Sequence, residues 1–99
     1  MDYYYEKINS LVQDILIPAR TEKKLNDESF DSLCNILEEL VNEYRGKEYI
    51  SRKLVGLLFF IYCSLECEMK RDDYKDKLFL AVGRLGEYID NIFWDSPFI

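Results

Sequence analysis

Cys63 and Cys67 stand one helical turn apart with Glu66 between them, the strongest ligand-like spacing in the chain. Two thiolates at i,i+4 can share a metal ion, but a closed site needs four ligands, and Cys34 would have to come from another segment. Free cysteine is among the most buried residue types, so all three are expected as reduced, small core side chains with no disulfide. The carboxylate pairs Glu38/Glu39 and Glu66/Glu68 could do acid–base work only in a pocket that raised one pKa. Adjacent residues on a helix do not face each other, which favours a solvated surface. The chain has no histidine. That removes Ser-His-Asp and Cys-His nucleophiles, the usual zinc hydrolase sites and the Glu-x-x-His di-iron pattern. The expectation is a protein that is not an enzyme and needs no cofactor or metal.

Charge and aromatic rings are the chemistry that remains. From Asn26 to Tyr44 the chain carries Asp27, Glu28, Asp31, Glu38, Glu39 and Glu43 with no Lys or Arg. Like charges at i,i+4 destabilise a helix, so this segment is more acidic than folding requires. The surplus is local: residues 45–65 carry a net +3 and residues 66–99 a net −3. Acids at a helix N-terminus are favoured by its dipole, which accounts for Asp27, Glu28 and Asp31 but not for Glu38, Glu39 and Glu43. There are eight tyrosines in 99 residues, and tyrosine combines large contact area with low entropy cost at binding surfaces. Tyr44 and Tyr49 flank Gly46 beside Glu43, an aromatic-acidic combination suited to an interface hot spot. Glu38, Glu39, Glu43, Tyr44 and Tyr49 are therefore the candidate partner-binding residues, with Asp31 and Asn42 at the rim.

The elements that must position these residues are helical. Tyr4, Ile8, Leu11, Val12, Ile15 and Leu16 recur at three- and four-residue steps, predicting a first helix from about Asp2 to Ile17 that stops or kinks at Pro18. Ala19 to Asn26 reads as the one long connection. Asn26 or Asp27 can cap a second helix whose inner face is Phe30, Leu33, Cys34, Leu37, Leu40, Val41 and Tyr44, and Gly46 can close it. Ser51 can cap a third helix reaching about Lys70, apolar on nearly every face from Leu54 to Leu65 and so expected at the centre of the molecule. That run spans about 18 Å, against the roughly 30 Å a bilayer requires. Asp72 or Asp73 opens a fourth helix with Tyr74, Leu78, Ala81, Val82, Leu85, Ile89, Ile92 and Phe93 inward. Gly83 and Gly86 within it permit a close crossing or mark a bend. Trp94, Phe98 and Ile99 are expected to cap the core.

No alternating strand pattern or internal repeat competes. The prediction is an all-α, single-domain bundle over residues 1–99, of four helices or five, largely antiparallel, with a central apolar third helix. The chain is 48% hydrophobic and 32% charged with net charge −6, which suits a globular fold and disfavours nucleic-acid binding, where clustered Lys and Arg are needed. Met1-Asp2-Tyr3-Tyr4-Tyr5-Glu6 offers no cationic n-region or apolar h-region, so the expectation is a cytoplasmic protein with no membrane role.

In size, charge, helical content and aromatic-acidic composition, the whole chain resembles the immunity proteins of bacterial toxin–immunity and contact-dependent inhibition systems. The Asp/Tyr-rich recognition loop of nuclease-colicin immunity proteins has no clear counterpart, and no residue role is carried over. The resemblance implies an inhibitor whose partner is a basic protein, a nuclease-type toxin domain covered at its active site or an adjacent surface. Two other readings stand beside it. One is a phage-type inhibitor of a defence nuclease that mimics nucleic acid, for which −6 is modest. The other is a homo-oligomeric adaptor whose third helix completes its burial by self-association, so both monomer and homodimer are open.

Overall fold

The computed structural model describes residues 3–22, 24–70 and 75–94. They form four α-helices and no strands: α1 (Tyr3–Thr21), α2 (Asp27–Tyr44), α3 (Arg52–Lys70) and α4 (Lys75–Phe93). The expected start at Asp2, the Asp72 or Asp73 cap, Tyr74, and the tail with Phe98 and Ile99 lie outside the described residues.

α1 runs through Pro18 where a stop or kink was predicted. Proline gives no N–H to the Asp14 carbonyl, but Asp14 is solvent-exposed, so water can satisfy that group. Ala19 is fully buried, and its packing holds the additional turn. The Pro18 carbonyl then accepts from the N–H groups of Glu22 and Lys24 at 3.0 and 3.1 Å, closing the helix end. The connection to α2 is shorter than expected in consequence.

Asn26 caps α2 through Oδ1, which accepts from Ser29 N–H at 3.2 Å. After Arg45 the chain turns at Gly46, whose φ of 77° is the left-handed conformation that a side chain disfavours. Ser51 Oγ accepts from Leu54 N–H at 3.3 Å at the start of α3.

The helices pack as a ring in the order α1, α2, α4, α3, each touching two neighbours. Ile8 and Ile15, Leu33 and Leu37, Leu54 and Leu58, and Leu78 and Leu85 fill the middle with no exposed surface. Each such side chain contributes about 1.5–3 kcal/mol on burial. The ring corrects the expected central place of the third helix. α3 packs on α1 and α4 only and stands diagonal to α2, so one of its faces is left to solvent. Cys63 and Cys67 lie on that face, exposed, where buried thiols were expected. Trp94, expected over the core, is 66% exposed.

Gly83 and Gly86 separate into different roles. A Cβ at Gly83 would meet open space, whereas one at Gly86 would stand 3.4 Å from Cε1 of Tyr62 on α3. Gly86 is the close crossing.

Candidate functional site

A helix turns about 100° per residue, so the acids of α2 do not form one face. Asp31, Glu38 and Asn42 fall within about 40° of one another and Glu39 and Glu43 about 100° farther round. The first group flanks α4. Asp27 Oδ2 meets Lys77 Nζ at 2.7 Å and Asp31 Oδ1 meets Arg84 Nη1 at 3.4 Å. Glu43 Oε1 meets Lys47 Nζ at 2.9 Å. Among the described residues, three of the six acids thus gain cationic partners from outside their own segment. Glu38 and Glu39, both exposed, form no salt bridge among the described residues.

The second group turns toward α1. There Glu39, Glu43 and Tyr44 meet the start of α1, whose residues were not among the candidate partner-binding set although at least one of Tyr3, Tyr4 and Tyr5 was expected to reach solvent. Tyr3 and Tyr4 pack edge to face with ring centres 5.3 Å apart. Lys7 Nζ lies 4.9 Å from the Tyr3 ring centre and Lys47 Nζ 5.8 Å from that of Tyr44. Loss of water, then the charges of Glu43 and Glu39, push the Tyr4 hydroxyl above its ordinary pKa. A groove of about 370 Å³ continues between the helices, with Lys7 and Ser10 on one side and Asn35, Ile36 and Glu39 on the other. One signal in the sequence pointed this way: placing Tyr4 on the apolar stripe of α1 turns Tyr3 and Lys7, at i,i+4, to one flank.

Tyr5 extends the aromatic end of the bundle, with Lys53 Nζ at 5.9 Å from its ring centre. Tyr49, in the segment between α2 and α3, is 86% exposed. Of the seven candidates, Glu39, Glu43 and Tyr44 are brought together; Asp31, Glu38 and Asn42 share the other flank; Tyr49 stands out from both.

The remaining chemistry stays dispersed. Glu68 is buried beside Arg20, with Oε2 and Nε 3.6 Å apart, while Glu66 lies about 200° away around α3. The two carboxylates share no pocket. Cys34 is buried on α2, diagonal to Cys63 and Cys67, and no group of three Cys, Asp or Glu suited to a metal ion occurs among the described residues. Burial raises the Cys34 pKa, with Arg84 opposing the shift and Asp31 adding to it. No helix among the described residues is long and apolar enough to cross a membrane.

The chain matches no protein-family model, no curated protein and no solved structure.

Proposed function

We propose that the chain is a non-catalytic inhibitor that binds a basic protein, acting as an immunity protein acts on a nuclease-type toxin, by covering its active site or an adjacent surface. The observation that carries this reading is the meeting of Tyr3, Tyr4 and Tyr44 with Glu39 and Glu43 where α1 and α2 pack. Rigid rings supply contact area at little entropy cost. The charge of Glu38 and Glu39 supplies long-range attraction, which speeds association with a basic partner more than it tightens the final complex. Asp31, Glu38 and Asn42 form the rim on the α4 side, and Tyr49 extends the contact beyond Gly46. On this reading the protein works in the cytoplasm and makes no direct contact with nucleic acid.

The same reading takes successive helices to alternate in direction. Contacts support it: Tyr5 with Lys53 and Arg20 with Glu68 run in the same order along α1 and α3. Tyr62 with Gly86 and Phe59 with Phe93 run in opposite order along α3 and α4. Two of the four packed interfaces, α1 on α3 and α2 on α4, are then parallel, fewer antiparallel contacts than the sequence suggested.

The test is capture from a lysate of the source cell with the tagged protein, at low salt and then high salt. A single basic protein, released as salt rises and not captured by an E39K/E43K variant, is the expected result. Capture unchanged in that variant, with its helical content intact, would remove the proposal.

A further inference from the structure

Between Lys53 and Lys70 the exposed residues of α3 are Gly56, Phe59, Phe60, Cys63 and Cys67. None carries a charge. Gly56, Phe60, Cys63 and Cys67 follow steps of four, three and four, the spacing of a coiled-coil seam, and extend about 16 Å along the helix. Phe60 is 56% exposed. Phe59 stacks on Phe93 of α4, ring centres 5.6 Å apart and planes 12° from parallel, so it is held in place at the edge of the seam. Above Gly56 there is open space. A solvated helix face normally carries charge, and an uncharged seam of this kind is built to meet another helix.

Which helix it meets follows from the charges beside it. Arg52 and Glu66 lie fourteen residues apart, a whole number of turns to within about 40°, and so share the flank turned toward α4. A second α3 laid antiparallel across the first brings each Arg52 to the other copy's Glu66. That register puts the two-fold axis level with Phe59. It sets each Phe60 between the levels of Phe60 and Gly56 on the other copy, large against small, as knobs-into-holes packing requires. Charge and shape are satisfied together by one register, and the same patch serves both partners, which is the condition for an isologous contact.

We infer that the outward seam of α3 is a self-association surface, on which a second copy of this chain packs antiparallel about Phe59 with reciprocal Arg52–Glu66 pairs. Because α3 is diagonal to α2, such a dimer leaves the acidic and tyrosine-bearing flanks of both copies facing away from the contact. It stands whether or not those flanks bind a basic partner.

Sedimentation equilibrium of the full chain under reducing conditions, from low micromolar to submillimolar protein, tests it. The expected result is a reversible dimer that Phe60→Glu converts to a monomer of unchanged helical content. Arg52→Glu and Glu66→Arg should each weaken the dimer roughly tenfold, since each turns two attractive pairs into repulsive ones, and the double variant should recover most of that loss. A wild-type monomer at every concentration would overturn the inference and leave the seam to an apolar helix of another protein. A dimer that survives Phe60→Glu would place self-association elsewhere on the molecule. A double variant no tighter than the single ones would overturn the antiparallel register.

Discussion

Nη1 of Arg84 on α4 stands 3.4 Å from Oδ1 of Asp31 on α2. Their side chains are 50% and 67% exposed, so water and salt screen the pair strongly. Together with Lys77 on Asp27, it marks where the buried core seats α4 along α2. A double-mutant cycle with Arg84→Ala and Asp31→Ala should give a coupling of about 0.2–1 kcal/mol, diminishing at high salt. Coupling above that range, or insensitive to salt, would mean the two groups are more sheltered than their exposure indicates.

Cys34 lies near the same pair, and burial raises its pKa. A raised folded pKa means the folded state holds its proton after the unfolded chain has lost it. The associated stability is complete below the ordinary thiol value of 9.0 and is lost as pH rises from there through the raised value. Tyr4 adds a loss of the same sign above its ordinary value of 10.0. Urea unfolding should show stability falling above pH 9, and Cys34→Ala should remove the earlier part of that slope. An unaltered slope in the variant would exclude Cys34 as its source.

The cysteines should also separate by reactivity. Cys63 and Cys67 are exposed and Cys34 is buried, and a thiol reagent needs access as well as thiolate. In the native protein, diluted until it is monomeric so that the α3 seam is open, mass spectrometry after brief labelling should find two modified thiols, with the third modified only at the rate of unfolding. Prompt labelling of Cys34 would show that α2 opens locally.

Opposite outcomes are expected at two glycines. Gly83 is inside α4 with open space where a Cβ would go, so Gly83→Ala should stabilise by about 1 kcal/mol through helix propensity alone. Gly46 has a φ of 77°, and alanine there should destabilise by roughly 1–2 kcal/mol. Thermal unfolding reads both signs. A stabilising Gly46→Ala would mean that the turn after α2 relaxes to another backbone conformation.

What the sequence conveyed follows the range of the interactions involved. The inner stripes of α1, of α2 and of α4 from Leu78 to Ile92, and the Asn26 cap, are set within one or two turns, so periodicity located them; Phe93, expected inward, is exposed because it stacks on Phe59 at the outer edge of α3. Ala19 carries α1 past Pro18 because a tertiary contact outweighs a local preference, and no pattern within α1 records that contact. For α3, being apolar all round reads as burial on every side, but a ring of four helices covers only part of it. Lys77 and Arg84 reach Asp27 and Asp31 across fifty or more residues. From α2 alone, the helix dipole set those acids apart from Glu38 and Glu39, but nothing in the segment showed their cationic partners.

That distinction decides how the acids should behave in binding. Asp27 and Asp31 spend part of their field on α4, whereas Glu39 faces the tyrosines of α1 and forms no salt bridge among the described residues. Neutralising Asp27 and Asp31 should therefore reduce stability slightly and slow partner association only modestly, through the rim charge of Asp31. Glu39→Lys with Glu43→Lys should slow association at least tenfold at low salt, through lost attraction and new repulsion, with little effect once salt is high. Tyr3→Ala, which leaves the charges in place and removes a ring that is 60% exposed, should instead speed dissociation by taking that ring from the contact. Stopped-flow association and dissociation rates of the captured partner, measured across ionic strength, separate the two effects. If both sets of acids slowed association equally, net charge alone would be steering the encounter, and the α1–α2 end would have no special part in it.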